Sequence, residues 1–351
     1  MESLLFSGLI ALPWWGAVAV ALFLTHVTTV AVTLYLHRNQ THRAIDLHPA
    51  VSHALRLWLW LTTGMRTREW VAVHRKHHAK CETAEDPHSP QILGINRVLW
   101  GGVLLYVKAA SDPAVVARYG HNTPDDWLER NLYSRFVLFG LTLMGVTDVV
   151  LFGIVPGVLI FLAQIVWIPF WAAGVINGLG HFLGYRNWST ADASTNIVPL
   201  GILIGGEELH NNHHAYTTSA RFSNRWYEFD IGWMYIRVLE ALGLATVRHL
   251  APIPRLSATG RVPDLETLRA VITHRFDVLA NYDRSIKHIG APEQSAARTM
   301  QRMRLELVAL WARSMASREQ LVRQLADWCQ RAESSGIGPL IGFSQRLRCY
   351  S

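Results

Sequence analysis

The sequence predicts an all-α integral membrane protein with about three transmembrane helices, a cytoplasmic helical cap and a soluble helical extension at the C-terminus. Three observations carry that fold class. Half of the 351 residues are apolar and only 17% are charged, against roughly 25% charged in an average soluble chain. Residues 3–37 and 149–185 contain no Asp, Glu, Lys or Arg, and both runs exceed the ~20 residues that cross a bilayer core. All 33 Lys and Arg fall within residues 38–135 and 186–351. Positive charge stays on the cytoplasmic side, so those two segments share that side.

Taken in order, Pro13 breaks the first apolar run. It leaves a short piece, Leu4 to Leu12, too short to cross and expected in the interface. Trp14 to Leu36 has spanning length. Residues 136–185 form a second apolar region punctuated by Gly153, Pro156 and Gly157, which is turn chemistry between two further spans. The apolar stretches Ala54 to Gly64, Ile92 to Ala110 and Ile197 to Ile204 suit interfacial or buried elements. From Pro263 the composition turns charged and helix-favouring, with amphipathic patterns at Asp264 to Tyr282, Gln294 to Ser314 and Arg318 to Glu333. The expected division is therefore a membrane domain with its cap over residues 1–262 and a helical cytoplasmic extension over 263–351.

A net charge of +7 raises nucleic acid as a partner. No stacking or groove-reading motif accompanies the basic residues, and a basic face beside anionic lipid accounts for them. Cys81, Cys329 and Cys349 form no CxxC pair and an odd number makes a poor disulfide framework. Met-Glu-Ser lacks the basic start of a secretory signal, so the first apolar segment is expected in the mature protein.

Eight of the seventeen histidines fall in three clusters: His37 and His42 in HRNQTH, His74, His77 and His78 in HRKHH, and His210, His213 and His214 in HNNHH. The HxxHH spacing places three imidazoles on one helical face. Neutral imidazole binds iron, copper, nickel and zinc, and eight imidazoles suit two ions better than one. His26, His48, His53, His88, His121, His249, His274 and His288 receive the ordinary reading of hydrogen-bonded core or surface residues.

These boxes, set around a hydrophobic hairpin, resemble those of membrane fatty acid desaturases of the Δ9, stearoyl-CoA desaturase-like group, over about residues 14–250. The resemblance implies a ninth ligand, His181, and Asn177 as a contact through water. It implies Trp70, in Glu69-Trp70, as a residue lining the acyl tunnel, and no catalytic group beyond the metal ligands. It further implies two iron ions cycling between Fe2+ and Fe3+, O2 as co-substrate, and removal of one hydrogen from C9 and one from C10 to leave a cis double bond, a step of unsaturated fatty acid biosynthesis in the inner membrane. Relatives that use acyl-CoA carry an Arg-Asp pair between the Trp and the second box. Val71, Ala72 and Val73 stand there in this chain, which favours an acyl chain esterified in a membrane lipid.

No haem, iron-sulfur or nicotinamide signature is present, so an external donor, a ferredoxin or cytochrome with its reductase, is implied. Arg38, Arg43, Arg66, Arg68, Arg75, Lys76 and Lys80 offer a basic face for it. Two rivals remain. A histidine-box hydroxylase or alkane monooxygenase would share metal and membrane but insert oxygen, and a metal transporter would need ligands at bilayer depth, where only His26 lies.

Overall fold

The computed structural model describes residues 5–257, 262–287, 294–312 and 317–351; Leu4, His288 and Ser314, named above, lie outside them. The described chain is mostly helical and includes four short strands. It divides into two compact units, Met1–Arg186 with Ala191–Ala251, and Asn187–Thr190 with Pro252–Ser351.

In the first unit two helices are long and apolar enough to cross a membrane, α1 (Trp14–Thr41) and α6 (Ile154–Leu179). A third apolar helix, α5 (Val137–Phe152), has 16 residues, which at 1.5 Å per residue reach about 24 Å, short of a hydrocarbon core of about 30 Å. α1 runs past Leu36, where the span was expected to end, because its last stretch, Val32–Thr41, is π-helical. The His42 amide donates to the His37 carbonyl at 3.1 Å and the Thr41 hydroxyl to the Leu36 carbonyl at 2.8 Å. The wider turn keeps the first histidine box on the helix itself rather than in a loop below it.

α6 changes register in the same way. Pro169 has no amide proton, and its ring would clash with the carbonyl four residues back in an ordinary α-turn. Pro169–Ile176 is accordingly π-helical and delivers Asn177 at its end. Two glycines let α4 (Ile95–Ala110) lie directly on this segment. A Cβ on Gly102 would fall 2.1 Å from the Ala173 carbonyl oxygen, and one on Gly174 would fall 2.4 Å from that of Leu99. At the far end of the hairpin the amides of Leu9 and Ile10 donate to Val150 and Leu151 at 3.0 and 2.7 Å, so the short N-terminal piece is pinned to the end of α5.

The remaining elements frame the cap. α2 (Pro49–Thr62) and α3 (Thr67–Lys80) follow β1 (Ile45–Leu47), which pairs antiparallel with β4 (Ala245–Val247). β2 (Leu200–Gly201) pairs in parallel with β3 (Phe229–Asp230), and between them lies α7 (His210–Ala215). Asp230 begins α8 (Ile231–Ala241) by accepting the Trp233 amide at 2.9 Å, an N-cap that satisfies one of the helix's orphan donors.

The second unit holds α9 (Leu265–Thr273), α10 (Arg275–Lys287), α11 (Gln294–Ala312), α12 (Arg318–Ser334) and α13 (Gly338–Leu347). The amphipathic stretch from Asp264 to Tyr282 falls in two helices, parted at His274, and α13 lies beyond the three amphipathic patterns of the sequence. Asp264 caps α9 through the Thr267 amide, and Ser317 with Gln320 forms a capping box at α12. Leu307, Leu325, Trp328, Phe343 and Leu347 meet in its core. The buried aromatic polar groups there are paired: Trp328 donates to the Met303 carbonyl at 2.9 Å, Tyr282 to that of Met300 at 2.7 Å and Tyr350 to Asp277 at 2.6 Å.

Candidate metal centre

The three boxes and His181 converge into two groups. The first contains His37, His42, His74, His78 and His213, whose ligating atoms lie within 4.8 Å of one another. The second contains His77, His181 and His214, joined by His210, whose Nε2 stands 3.0 Å from that of His181. Each HxxHH box serves both groups. α3 sends His74 and His78 to the first and His77 to the second, while α7 sends His213 to the first and His210 and His214 to the second. The i and i+4 residues of a box stack along one line of the helix and i+3 lies beside them, so two helices facing each other make two sites out of one face each.

The contacts run between Nε2 atoms: His37 to His74 at 2.9 Å, His37 to His213 at 3.2 Å, His42 to His74 at 3.1 Å, His78 to His74 and to His213 at 3.0 Å. In the second group His77 and His181 stand at 3.2 Å. Nitrogens about 2.1 Å from one ion and at right angles to each other are separated by about 3.0 Å, so the spacing suits shared coordination. Without a cation, lone pairs on neighbouring rings would face each other.

Carboxylates hold the opposite edges of four rings. Glu207 stands 2.6 Å from Nδ1 of His37, Asp86 3.1 Å from that of His77, Glu82 3.1 Å from that of His181 and Asp192 3.1 Å from that of His214. A carboxylate on Nδ1 fixes the tautomer that leaves the Nε2 lone pair toward the metal and raises its basicity. Nδ1 of His210 and of His213 and Nε2 of His214 are buried without a hydrogen-bond partner among the described residues. Burial holds His74, His78, His210 and His213 well below their usual range and His214 at about 4, which keeps these rings neutral, as ligation requires. The donor set therefore fits two metal ions.

Neighbouring groups take different parts. Cys81 Sγ approaches His181 Nδ1 at 3.9 Å, on the carboxylate side of that ring. Burial, reinforced by Asp192, Asp86 and Glu82, pushes its thiol up, opposite to what a thiolate ligand needs. His88, given an ordinary reading from sequence, lies 4.4 Å from His77 between ring centroids, with its Nε2 buried and without a hydrogen-bond partner among the described residues. The carboxylates were missed as well; their signal was the acidic pair in Cys81-Glu82 and Glu85-Asp86 after the second box and Glu207-Glu208 before the third.

A cavity of about 210 Å³ opens beside the first group, with His37, His74 and His210 in its wall. Asn177 and Trp70 line it too. The Trp70 indole stacks on the His74 ring, 5.0 Å between centroids and 8° from parallel, as their i, i+4 spacing allows. Val73 adds to the apolar wall, and Val71, Ala72 and Val73 are all buried.

The basic face expected for a donor is not a single surface. Arg38 is fully buried, donating to Asp230 at 2.9 Å and to the Ala220 carbonyl at 2.8 Å, with Phe222 3.8 Å beneath its guanidinium. Phe222 in turn packs against His213 and His37. Arg75 donates to the carbonyls of Gln40 and His121 at 2.9 and 2.7 Å, tying α3 to the end of α1. Both arginines hold the boxes together, because a guanidinium is the one cation with enough fixed donors to satisfy several buried acceptors at once. Arg66 and Arg68 are exposed.

The sequence profile of fatty acid desaturases matches residues 13–254. The chain is 34% identical over 244 residues to the sn-1 stearoyl-lipid 9-desaturase of Anabaena variabilis, covering 68% of this chain and 85% of that one. It is 32% identical over 244 residues to Delta-9 acyl-lipid desaturase 1 of Arabidopsis thaliana, covering 66% and 75%, and 31% identical over 245 residues to Delta-9 acyl-lipid desaturase 2 of the same plant, covering 66% and 74%. The matched stretch carries all nine converging histidines and the residues that line the cavity beside them, and the profile and the relatives show that this chain belongs to the fatty acid desaturase family.

Proposed function

We propose that the protein is a membrane oxidoreductase that uses two irons and O2 to set a cis double bond at the Δ9 position of a saturated acyl chain esterified in a membrane lipid. The observation that carries the reading is the junction of nine converging imidazoles with an apolar cavity. A methylene carries no acidic proton, so proton transfer to a side chain cannot activate it. Bound iron supplies the O2-dependent oxidation that C–H cleavage requires. His37, His42, His74, His78 and His213 would hold one ion. His77, His181, His210 and His214 would hold the other, with Asn177 as a tenth contact to the pair through water.

The chain's own residues then orient and exclude. Glu207, Asp86, Glu82 and Asp192 fix four rings, Trp70 on His74 forms the wall the acyl chain passes, and the apolar lining keeps water from the reacting carbons. The names of the plant and cyanobacterial relatives support a lipid-bound substrate. So do Val71, Ala72 and Val73, which are buried and uncharged and so cannot pair with the phosphates of CoA. The placement of Lys and Arg supports α1, α5 and α6 as three passes, with the metal site and C-terminus on the cytoplasmic side. A ferredoxin or cytochrome with its reductase would supply electrons.

The test is protein purified from iron-replete cells, supplied with ferredoxin, reductase and either phospholipid vesicles bearing stearoyl chains or stearoyl-CoA. Two irons per chain and a Δ9 product two hydrogens lighter, formed on the phospholipid, are expected. Gain of one oxygen would favour the hydroxylase instead, one metal per chain would refute the dimetal site, and conversion of the CoA ester alone would refute the lipid-bound substrate.

A further inference from the structure

The cavity wall is hydrocarbon apart from the metal-side groups and a few hydroxyls, and those hydroxyls are not equivalent. Thr29 donates to the Thr25 carbonyl at 3.1 Å and Thr63 to that of Leu59 at 2.7 Å. The hydroxyl of Tyr106, on α4, is buried and has no hydrogen-bond partner among the described residues, although Tyr106 lines the same cavity. A buried donor without an acceptor is costly and rare in native proteins. It calls for an acceptor brought by the ligand.

Its position says which part of the ligand that is. Leu99 and Gly102 of α4 pack on the segment before Asn177, and Tyr106 lies further along the helix. Thr63, Gly64 and Met65, between α2 and α3, line the same cavity, and the phenol feels the charges of Glu69 and Arg66. Those two form a partly exposed ion pair at 2.7 Å. Tyr106 thus lies seven residues, about 10 Å, along α4 from Leu99, which packs beside Gly174 and Gly178 near Asn177, and within the field of a charged pair at the start of α3. An acyl lipid entering with its methyl end first brings its ester carbonyl, an acceptor, to that point.

The distance agrees. His74 is five residues on from Glu69 and eight from Arg66, the N-cap of α3, so about 8–12 Å away at the helical rise. From the ester carbon to C9 are eight bonds, about 10 Å in an extended chain built from carbon–carbon bonds of about 1.5 Å.

We propose that the Tyr106 hydroxyl donates a hydrogen bond to the ester carbonyl of the acyl lipid and so fixes which methylene reaches the metals. An apolar tunnel grips every methylene alike, whereas one polar anchor gives the chain an origin from which carbons are counted. The inference rests on the desaturase reading above and adds to it the group that sets the register.

The experiment uses the full-length, metal-loaded protein and two vesicle substrates, a phospholipid with an sn-1 stearoyl ester and its sn-1 octadecyl ether analogue, which lacks the carbonyl. Wild type is expected to favour the ester by about tenfold, the worth of one buried hydrogen bond, and to give one double-bond position on it. Tyr106→Phe keeps the ring and the packing. It should bind the same metal, lose the ester preference to a ratio of about one, and spread the double bond over neighbouring positions. A ring that merely packs would leave both the ratio and the position unchanged in Tyr106→Phe, and that result overturns the inference while the desaturase reading stands. No double bond from wild type on any stearoyl ester overturns both.

Discussion

The two compact units bury opposite things. In the first, Leu138, Leu159 and Leu162 face outward while His37, Arg38, His213 and Asp230 are buried. In the second, Leu307, Leu325 and Trp328 are buried and Arg318, Arg323 and Arg346 are exposed. The second follows the rule for a protein in water, where apolar burial drives folding. In the first, apolar side chains on the spanning helices already have an apolar solvent, so the interior is free to hold polar groups provided each finds a partner. The difference teaches where each unit's stability resides: in hydrogen-bonded buried polar contacts beside apolar clusters in one and chiefly in hydrophobic packing in the other.

The comparison is tested hardest by Asp230→Ala. Asp230 answers the fully buried Arg38 at 2.9 Å, accepts the Phe222 amide at 2.8 Å and caps α8. Removing it leaves an unpaired buried guanidinium, which costs about 3–5 kcal/mol. Thermal unfolding of the detergent-solubilised protein should show the first unit destabilised by that amount, with metal lost and the second unit's transition unmoved. A loss below about 1 kcal/mol, the level of a surface pair, would remove the contrast.

The second test exchanges the chemistry. Leu325→Ala in α12 empties volume in a packed core and should cost about 2–5 kcal/mol, read as a lower unfolding temperature of the second unit with metal content unchanged. Leu159→Ala on the outer face of α6 removes a side chain that touches lipid or detergent and should cost less than about 1 kcal/mol. Equal costs would mean that the outer face of α6 is packed against protein in solution.

These contrasts also explain what could be read from sequence. The histidine boxes were legible because ligands of one residue type at i, i+3 and i+4 leave a pattern within a few residues. Apolar runs were legible for the same reason, although composition alone could not say that α5 stops at 16 residues or that α1 passes Leu36 by π-turns. The partners of the boxes were not legible. Glu207 is 170 residues from His37 and Asp230 is 192 from Arg38, so no local pattern pairs either one with its partner. Arg38 next to His37 looks like any cytoplasmic arginine until the fold closes over it. Likewise Tyr106 sits in an apolar helix with no neighbouring polar residue to suggest that its hydroxyl faces a cavity.

A smaller effect is expected from the carboxylates behind the rings. Asp86 accepts from His77 and from the backbone amides of Glu82 and His88; burial opposes its charge, yet the hydrogen bond from His77 holds its carboxyl below the usual range. Asp86→Asn keeps the shape but weakens the orienting bond, and metal affinity should fall about 10–100-fold, measured by competition with a chelator. Unchanged affinity would show that packing alone orients His77.

The smallest effect belongs to an ion pair of the same chemistry as Arg38 and Asp230, placed in the second unit. Asp327 and Arg331 lie four residues apart on α12 at 2.9 Å, and the aspartate is mostly exposed. Water solvates both ions whether or not they meet, so only a weak Coulomb term survives the cost of ordering two side chains. The acidic residue precedes the basic one, the favourable order on a helix. Asp327→Ala should therefore cost about 0.3–0.5 kcal/mol at low ionic strength and almost nothing near 1 M salt, where the screening length is about 3 Å. Asp230→Ala should show no such salt dependence, because ions do not reach a pair that is fully buried. Unfolding of both variants across a salt series distinguishes the cases: parallel curves would mean that burial does not separate the two pairs, and diverging curves would assign the difference to the solvent each unit meets.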